Sequence, residues 1–153
     1  MMRIALLLLV TLGSLHPAAA QSLAPEQRDA ILGYTLTMDR ANHLIAAMTS
    51  VTHYLVSLPD YQERLARSAK LPAAERAAQM EKDPKISSIL KENGLTARDY
   101  LVGVPTLRMA LLVAQGLASP NIVASPANAA FAKANLAQLK PKMDQADGVA
   151  RGR

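Results

Sequence analysis

The residues best suited to metal binding lie on one predicted helix. Asp39 and His43 stand four residues apart, so they share a helical face, and His53 follows ten residues after His43. On a continuous helix His53 would lie about 80° around the axis and about 15 Å along it from His43. Three ligands so placed cannot close around one ion, no Glu follows His43 in a zinc-protease pattern, and the chain has no cysteine. We therefore expect no metal site and no cofactor, and two ordinary, partly exposed histidines.

Nucleophilic catalysis has no local motif in this sequence. Catalysis needs a nucleophile beside a base, or paired acids in a cleft, and no serine has the pattern of a nucleophile elbow around it. Asp99 lies beside Tyr100, but it also follows Thr96 by three residues, which is the spacing of a helix capping box. A structural role accounts for Asp99, and we expect a protein that is not an enzyme.

Arg108 is a charged residue in an otherwise apolar stretch of sequence. It lies with Pro105 in the most apolar run of the chain after the N-terminal segment, residues 101–114. Arginine is rarely buried without a partner, so Arg108 either reaches solvent along its stem, pairs with an acid from another helix, or binds an anionic head group. Pro105 removes one helical hydrogen bond and should bend the helix, which could leave a gap beside it. The candidate contact residues for a ligand or partner are therefore Tyr100, Leu101, Pro105 and Arg108.

The composition favours one helical domain. The chain has 153 residues, of which 50% are hydrophobic but only 3% aromatic. Ala and Leu, which favour helices, dominate over the β-branched residues typical of strands, and the length suits one domain with one core. The formal net charge of +5 is spread along the chain without a continuous basic face or interleaved aromatic residues, so nucleic-acid binding is not expected.

Residues 1–20 have the layout of a cleavable secretory signal peptide. Arg3 supplies a positive start, residues 4–12 form a continuous apolar run, and small residues at 18–20 precede the expected cleavage before Gln21. The apolar run is shorter than the roughly 20 residues of a transmembrane helix, so no stable membrane anchor is expected after cleavage. An uncleaved anchor is the alternative. The pattern predicts a periplasmic or secreted protein.

The mature chain is expected to form a helical domain over residues 21–147, followed by a flexible basic tail over residues 148–153. Apolar residues at spacings of three and four cover about residues 26–57. They fit one helix or two, and weak helix formers at residues 33–37 favour a break with Thr37 capping the second helix.

Capping signals divide the rest of the chain. Further helices are expected from Tyr61, Ala73 and Pro84, with Asp60 and Glu63 at capping-box spacing before the first of them. Ser125 and Pro126 should start the last helix, which Pro141 kinks or ends. Asn128, in the first turn of that helix, fits a hydrogen bond to a neighbouring helix or loop.

The central helix is expected near residues 97–117. Gly94 suits the left-handed position that ends the preceding helix, and Thr96 with Asp99 starts the next one. Its broad apolar surface indicates burial among other helices. We therefore predict an all-α fold of about five or six helices in an irregular orthogonal or bundle-like array around this helix.

Residues 94–100 (GLTARDY), followed after the apolar helix by residues 125–131 (SPANAAF), resemble small exported helical proteins of Gram-negative bacteria. The resemblance implies a periplasmic helical domain and brings no catalytic residues. The apolar helix bent at Pro105, with Arg108 at the edge of the expected gap, favours a non-catalytic binding protein for a protein partner or a small apolar ligand. The alternative is a structural or stress-related envelope protein that acts through protein–protein contacts.

Overall fold

The computed structural model describes residues 24–117 and 119–150. Within these residues the chain forms helices and no strands, which confirms the all-α prediction. The helices are α1 (Pro25–Gly33), α2 (Met38–Val56), α3 (Tyr61–Ser68), α4 (Ala73–Lys82), α5 (Pro84–Glu92), α6 (Ala97–Ala114), α7 (Pro126–Ala134) and α8 (Leu136–Ala150). The expected signal peptide and residues 151–153 lie outside the described residues. None of the described helices combines the length and the apolar character that a membrane crossing requires.

The described residues contain eight helices instead of the predicted five or six, because the chain breaks at more places than expected. The apolar seam of residues 26–57 forms two helices, and the Thr37 hydroxyl caps the second by accepting a hydrogen bond from the Arg40 amide at 3.2 Å. A further break falls at Asn135, whose side-chain amide donates to the Phe131 carbonyl at 2.8 Å at the end of α7. Beyond it, α8 continues through Pro141 and includes residues 148–150, where a flexible tail was expected.

Most of the predicted helix boundaries rest on the expected caps. Gly94 has a φ of 64°, which satisfies the left-handed position after α5. Thr96 and Asp99 form a reciprocal capping box at the start of α6. The capping box predicted for Asp60 was wrong. Asp60 makes no capping hydrogen bond, because its ψ of 20° departs from the extended backbone of an N-cap.

Helix α6 is the centre of the fold, as predicted. It packs against each of the other described helices except α3. Its buried side is made largely of small residues, which are Ala97, Gly103, Thr106 and Ala110, together with Leu107 and Leu111. Gly103 lets α2 and the link after α1 approach closely, since a Cβ there would lie 2.7 Å from Leu44 Cδ2 and 2.8 Å from Tyr34 Oη. Arg108, by contrast, is exposed.

Asn128 ties the last part of the chain to the first. It is 2% exposed, and its Oδ1 accepts a hydrogen bond from the Leu36 amide at 3.0 Å while its Nδ2 donates to the Tyr34 carbonyl at 2.7 Å. Both partners lie in the extended link between α1 and α2, where backbone groups have no helical partners. The expected structural role of Asn128 is thereby confirmed, and the link is fixed against α7.

Candidate ligand-binding cleft between α3 and the α2–α6 core

A cavity of about 670 Å³ lies between α3 on one side and α2, α4, α5 and α6 on the other. Pockets that bind small molecules typically enclose about 300–1,000 Å³, so the cavity is large enough for a ligand. We call it the cleft. Its apolar and aromatic lining comes from helices on both sides and includes Val51, Leu55, Leu65, Met80, Ile86, Tyr100 and Leu101.

The cleft also carries four cationic side chains and one carboxylate, which are Arg64, Arg67, Arg76, Lys82 and Asp83. The two arginines of α3 are paired within their own segment. Arg64 Nε lies 2.8 Å from the Asp60 carboxylate, and Arg67 lies 3.6 Å from Glu63. The hydrogen bond from Arg64 is the main reason that the pKa of Asp60 is lowered. Among the described residues, the cations of α4 are therefore the positive charges of the cleft that have no ion pair.

Arg76, on α4, is the polar side chain of the cleft whose hydrogen bonding is incomplete. Its Nε is buried and has no hydrogen-bond partner within the described residues. No Asp or Glu of the described chain forms an ion pair with it. A buried donor on a permanently charged side chain is unfavourable without an acceptor, so an anion reaching Arg76 would satisfy it.

Asp83, the carboxylate of the cleft, is already engaged. Its Oδ1 accepts hydrogen bonds from the Lys85 and Ile86 amides at 3.0 and 3.1 Å, and so caps α5. Its Oδ2 accepts a hydrogen bond from Tyr54 Oη at 3.2 Å. Desolvation and the neighbouring Asp83 charge together raise the pKa of Tyr54. Because three donors already share the charge of Asp83, it opposes an incoming anion less than a free carboxylate would.

Tyr100 lines the cleft from the first turns of α6. Burial raises its pKa to about 12, and the charge of Arg108 opposes that rise only in part. The phenol is neutral near pH 7 and adds no negative charge to the lining of the cleft.

The structure separates the four candidate contact residues into two pairs. Tyr100 and Leu101 line the cleft, whereas Pro105 and Arg108 do not. Arg108 donates a hydrogen bond to the carboxylate of Asp147 on α8 and lies 3.3 Å from Met48 Sδ. Of the three alternatives for Arg108, the structure thus shows two together, since the side chain reaches solvent and also pairs with an acid from another helix.

The other titratable residues considered above are not brought together. Asp39, His43 and His53 lie on the exposed surface of α2. Within residues 24–117 and 119–150, no group of three or more His, Asp and Glu side chains is placed to hold a metal ion.

Sequence reasoning missed the residues that α3 and α4 bring to the cleft, above all Leu65 and Arg76. A signal was present in α3, where Tyr61 and Leu65 stand four apart with charged residues between them, which is the pattern of a helix with one apolar face. For Arg76 the local sequence carries no such signal, because its importance comes from the absence of a partner among the described residues of the folded chain.

Comparison of the chain with protein-family models, with curated proteins and with solved structures found no match in any of the three. The function is therefore inferred from the geometry and chemistry of the cleft.

Proposed function

We propose that the protein is a non-catalytic binding protein for an amphipathic anion, a molecule with one apolar chain and a carboxylate or phosphate head group. The observation that carries this proposal is the buried Nε of Arg76, which has no partner in the described part of the chain and lies in a cleft of about 670 Å³ with an apolar lining. An apolar ligand of the kind expected from the sequence would fill the cleft, and an anionic head group would also satisfy Arg76.

The chain of such a ligand would lie against the core side of the cleft. Val51 and Ile86 belong to the buried core and also line the cleft, so their surfaces extend the core to the ligand. Each methylene removed from water contributes about 0.8 kcal/mol. Chain length should therefore set most of the affinity until the cleft is full.

The head group would lie near α4. Arg76 offers a planar guanidinium that can bind carboxylate or phosphate through two hydrogen bonds, and Lys82 adds a second positive charge from the same helix. Asp83 is already hydrogen-bonded and Tyr100 is neutral near pH 7, so neither opposes the anion strongly.

Calorimetric titration with ligands that share one chain and differ in head group tests this proposal. Dodecanoate and dodecyl phosphate should bind with similar, saturable isotherms at concentrations below micelle formation. Dodecanol should bind more weakly, and dodecyltrimethylammonium should bind weakest because its charge is repelled. Equal binding of all four would contradict the role assigned to the arginine, and no binding of any would contradict the proposed function.

Arg76→Gln isolates the arginine. We expect the Kd of dodecanoate to rise about tenfold, equivalent to about 1.4 kcal/mol, while the Kd of dodecanol stays unchanged. Arg98→Gln is the matched control, since Arg98 is an exposed residue of α6 that does not line the cleft and its loss makes the same change in net charge. An equal effect of the two substitutions would show that long-range charge, and not contact with Arg76, attracts the ligand.

We also propose that the protein acts outside the cytoplasm, as the signal-peptide pattern of residues 1–20 and the resemblance to exported helical proteins suggest. The intact mass of protein purified from cells that express the full sequence tests this. The expected mass is that of a chain beginning at Gln21, and a mass that includes residues 1–20 would contradict cleavage.

A further inference from the structure

Helix α3 is attached to the rest of the fold differently from every other described helix. Like α4, it has no buried residue, but unlike α4 it makes no more than marginal contact with any other helix. Leu65 lines the cleft yet remains 52% exposed. An apolar side chain that faces a cavity and is still half in water gains free energy when the cavity is filled or closed.

The polar contacts of α3 keep it together but do not hold it in place. The ion pairs of the segment join Arg64 and Arg67 to Asp60 and Glu63, so they all lie within one short stretch. In the part of the chain that the structure describes, the hydrogen bonds of α3 likewise connect it only to its own residues and to the adjoining turns. The helix is therefore a stiff unit with weak attachment.

Both ends of α3 are short turns next to proline. Pro59 precedes it, and Pro72 follows the turn after it. Each turn is held by isolated backbone hydrogen bonds, such as Leu58 N to the Leu55 carbonyl and Leu71 N to the Ser68 carbonyl, both at 3.1 Å. Segments with few buried contacts and exposed hydrogen bonds open at low free-energy cost, so motion about these turns would leave the core undisturbed.

We propose that α3 is a lid that closes over the apolar chain of the ligand and buries Leu65 and Tyr61 against it. This inference rests on the proposed function, since it describes how the same cleft opens and closes. In the open position the ligand enters past α3. In the closed position Leu65 covers the chain, and Arg64 and Arg67 come nearer to the head group at Arg76.

Hydrogen exchange followed by mass spectrometry tests the lid, with dodecanoate as the probe. Without dodecanoate, amides of α3 should exchange much faster than those of α2 and α6. At saturation, exchange of α3 should slow by about tenfold or more, because ligand contacts stabilise the closed form. Calorimetry on the same sample separates the two claims. Binding without any change in α3 exchange overturns the lid alone, whereas the absence of binding overturns the proposed function and the lid with it.

Two leucine variants measure the contribution of the lid to affinity. Leu65→Gln should raise the Kd of dodecanoate about tenfold and abolish the ligand-dependent protection of α3. Leu117→Gln is the matched control, because Leu117 is 51% exposed, against 52% for Leu65, and does not line the cleft. If Leu65→Gln binds dodecanoate as tightly as Leu117→Gln does, Leu65 does not cover the ligand and the lid is overturned.

Discussion

Two neighbouring segments of α6, its first turn and its middle, contrast in how other helices pack against them. Around Gly103 and Leu107 the helix is enclosed, and Gly103 allows Leu44 and Tyr34 to approach so closely that even a methyl group would clash. One turn earlier, Tyr100 and Leu101 border a cavity whose far side is α3, a helix with no buried residue. The contrast teaches that small residues on the central helix complete the core, while large residues beside a weakly attached helix leave room for a ligand.

Replacing one leucine of the core and one leucine of the cleft with alanine should give the largest difference in stability. Leu107 is fully buried and Leu65 is 52% exposed. Leu107→Ala should lower the free energy of unfolding by about 2–5 kcal/mol, because it leaves a cavity in the core. Leu65→Ala should lower it by less than about 0.5 kcal/mol. Urea unfolding of both variants measures the two values, and similar losses would mean that α3 belongs to the core.

Adding one methyl group at Gly103 should have the next largest effect on stability. Gly103→Ala would place a Cβ 2.7 Å from Leu44 Cδ2, and we expect a loss of about 1–3 kcal/mol from overpacking. Gly148→Ala provides the control, because Gly148 is also helical and nothing lies within 4 Å of a Cβ placed there. Its better helix propensity should stabilise the protein by about 0.5–1 kcal/mol. Thermal unfolding should shift in opposite directions for the two, and a tolerated Gly103→Ala would contradict the tight packing.

Alkaline titration should reveal the burial of Tyr100, which lines the cleft in the first turn of α6. The pKa of Tyr100 is raised from 10.0 to about 12 in the folded protein. The unfolded chain therefore loses this proton first, so the stabilising contribution of the neutral phenol is complete below about pH 10 and is lost as the pH rises towards 12. Tyrosinate absorbance should show the transition of highest pH disappear in Tyr100→Phe. Loss of a transition near pH 10 would indicate that Tyr100 is solvated.

Removing the hydroxyl of Tyr34 should have the smallest effect on stability. Tyr34 Oη is buried against Gly103 with no hydrogen-bond partner in the described chain. Burial is the main cause of its raised pKa. Tyr34→Phe keeps the ring that the Arg40 guanidinium covers at 5.4 Å. The free energy of unfolding should therefore change by less than about 0.5 kcal/mol or rise slightly. A loss above about 1 kcal/mol in urea unfolding would reveal a hydrogen bond to this hydroxyl.

Local structure was largely predictable from the sequence because it depends on neighbouring residues. The caps predicted at Thr37, Thr96 and Ser125 all form. Each needs only a short polar side chain near free backbone amides. Asp60 does not cap α3 for an equally local reason. Its carboxylate accepts a hydrogen bond from Arg64, and its backbone is not extended.

The candidate site was less predictable because it depends on residues distant in sequence. Arg108 and Asp147 are separated by 39 positions, and no local pattern marks either as the partner of the other. The cleft likewise exists because α3 fails to pack on the core, and the local sequence of an amphipathic helix indicates an apolar face without indicating what that face meets. Tyr100 and Leu101 were named because they lie close to Pro105 on α6, whereas Arg76, on another helix, was not.

The most direct test of the central claim is an amide NMR titration of isotope-labelled protein with dodecyl phosphate. The claim is that ligand enters on the α3 side of α6 and leaves the enclosed side unchanged. Saturable shifts should appear at Leu65, Arg76 and Tyr100, with resonances of Leu107 and Arg108 nearly still. Shifts centred on Leu107 and Arg108, with α3 and α4 unaffected, would contradict it.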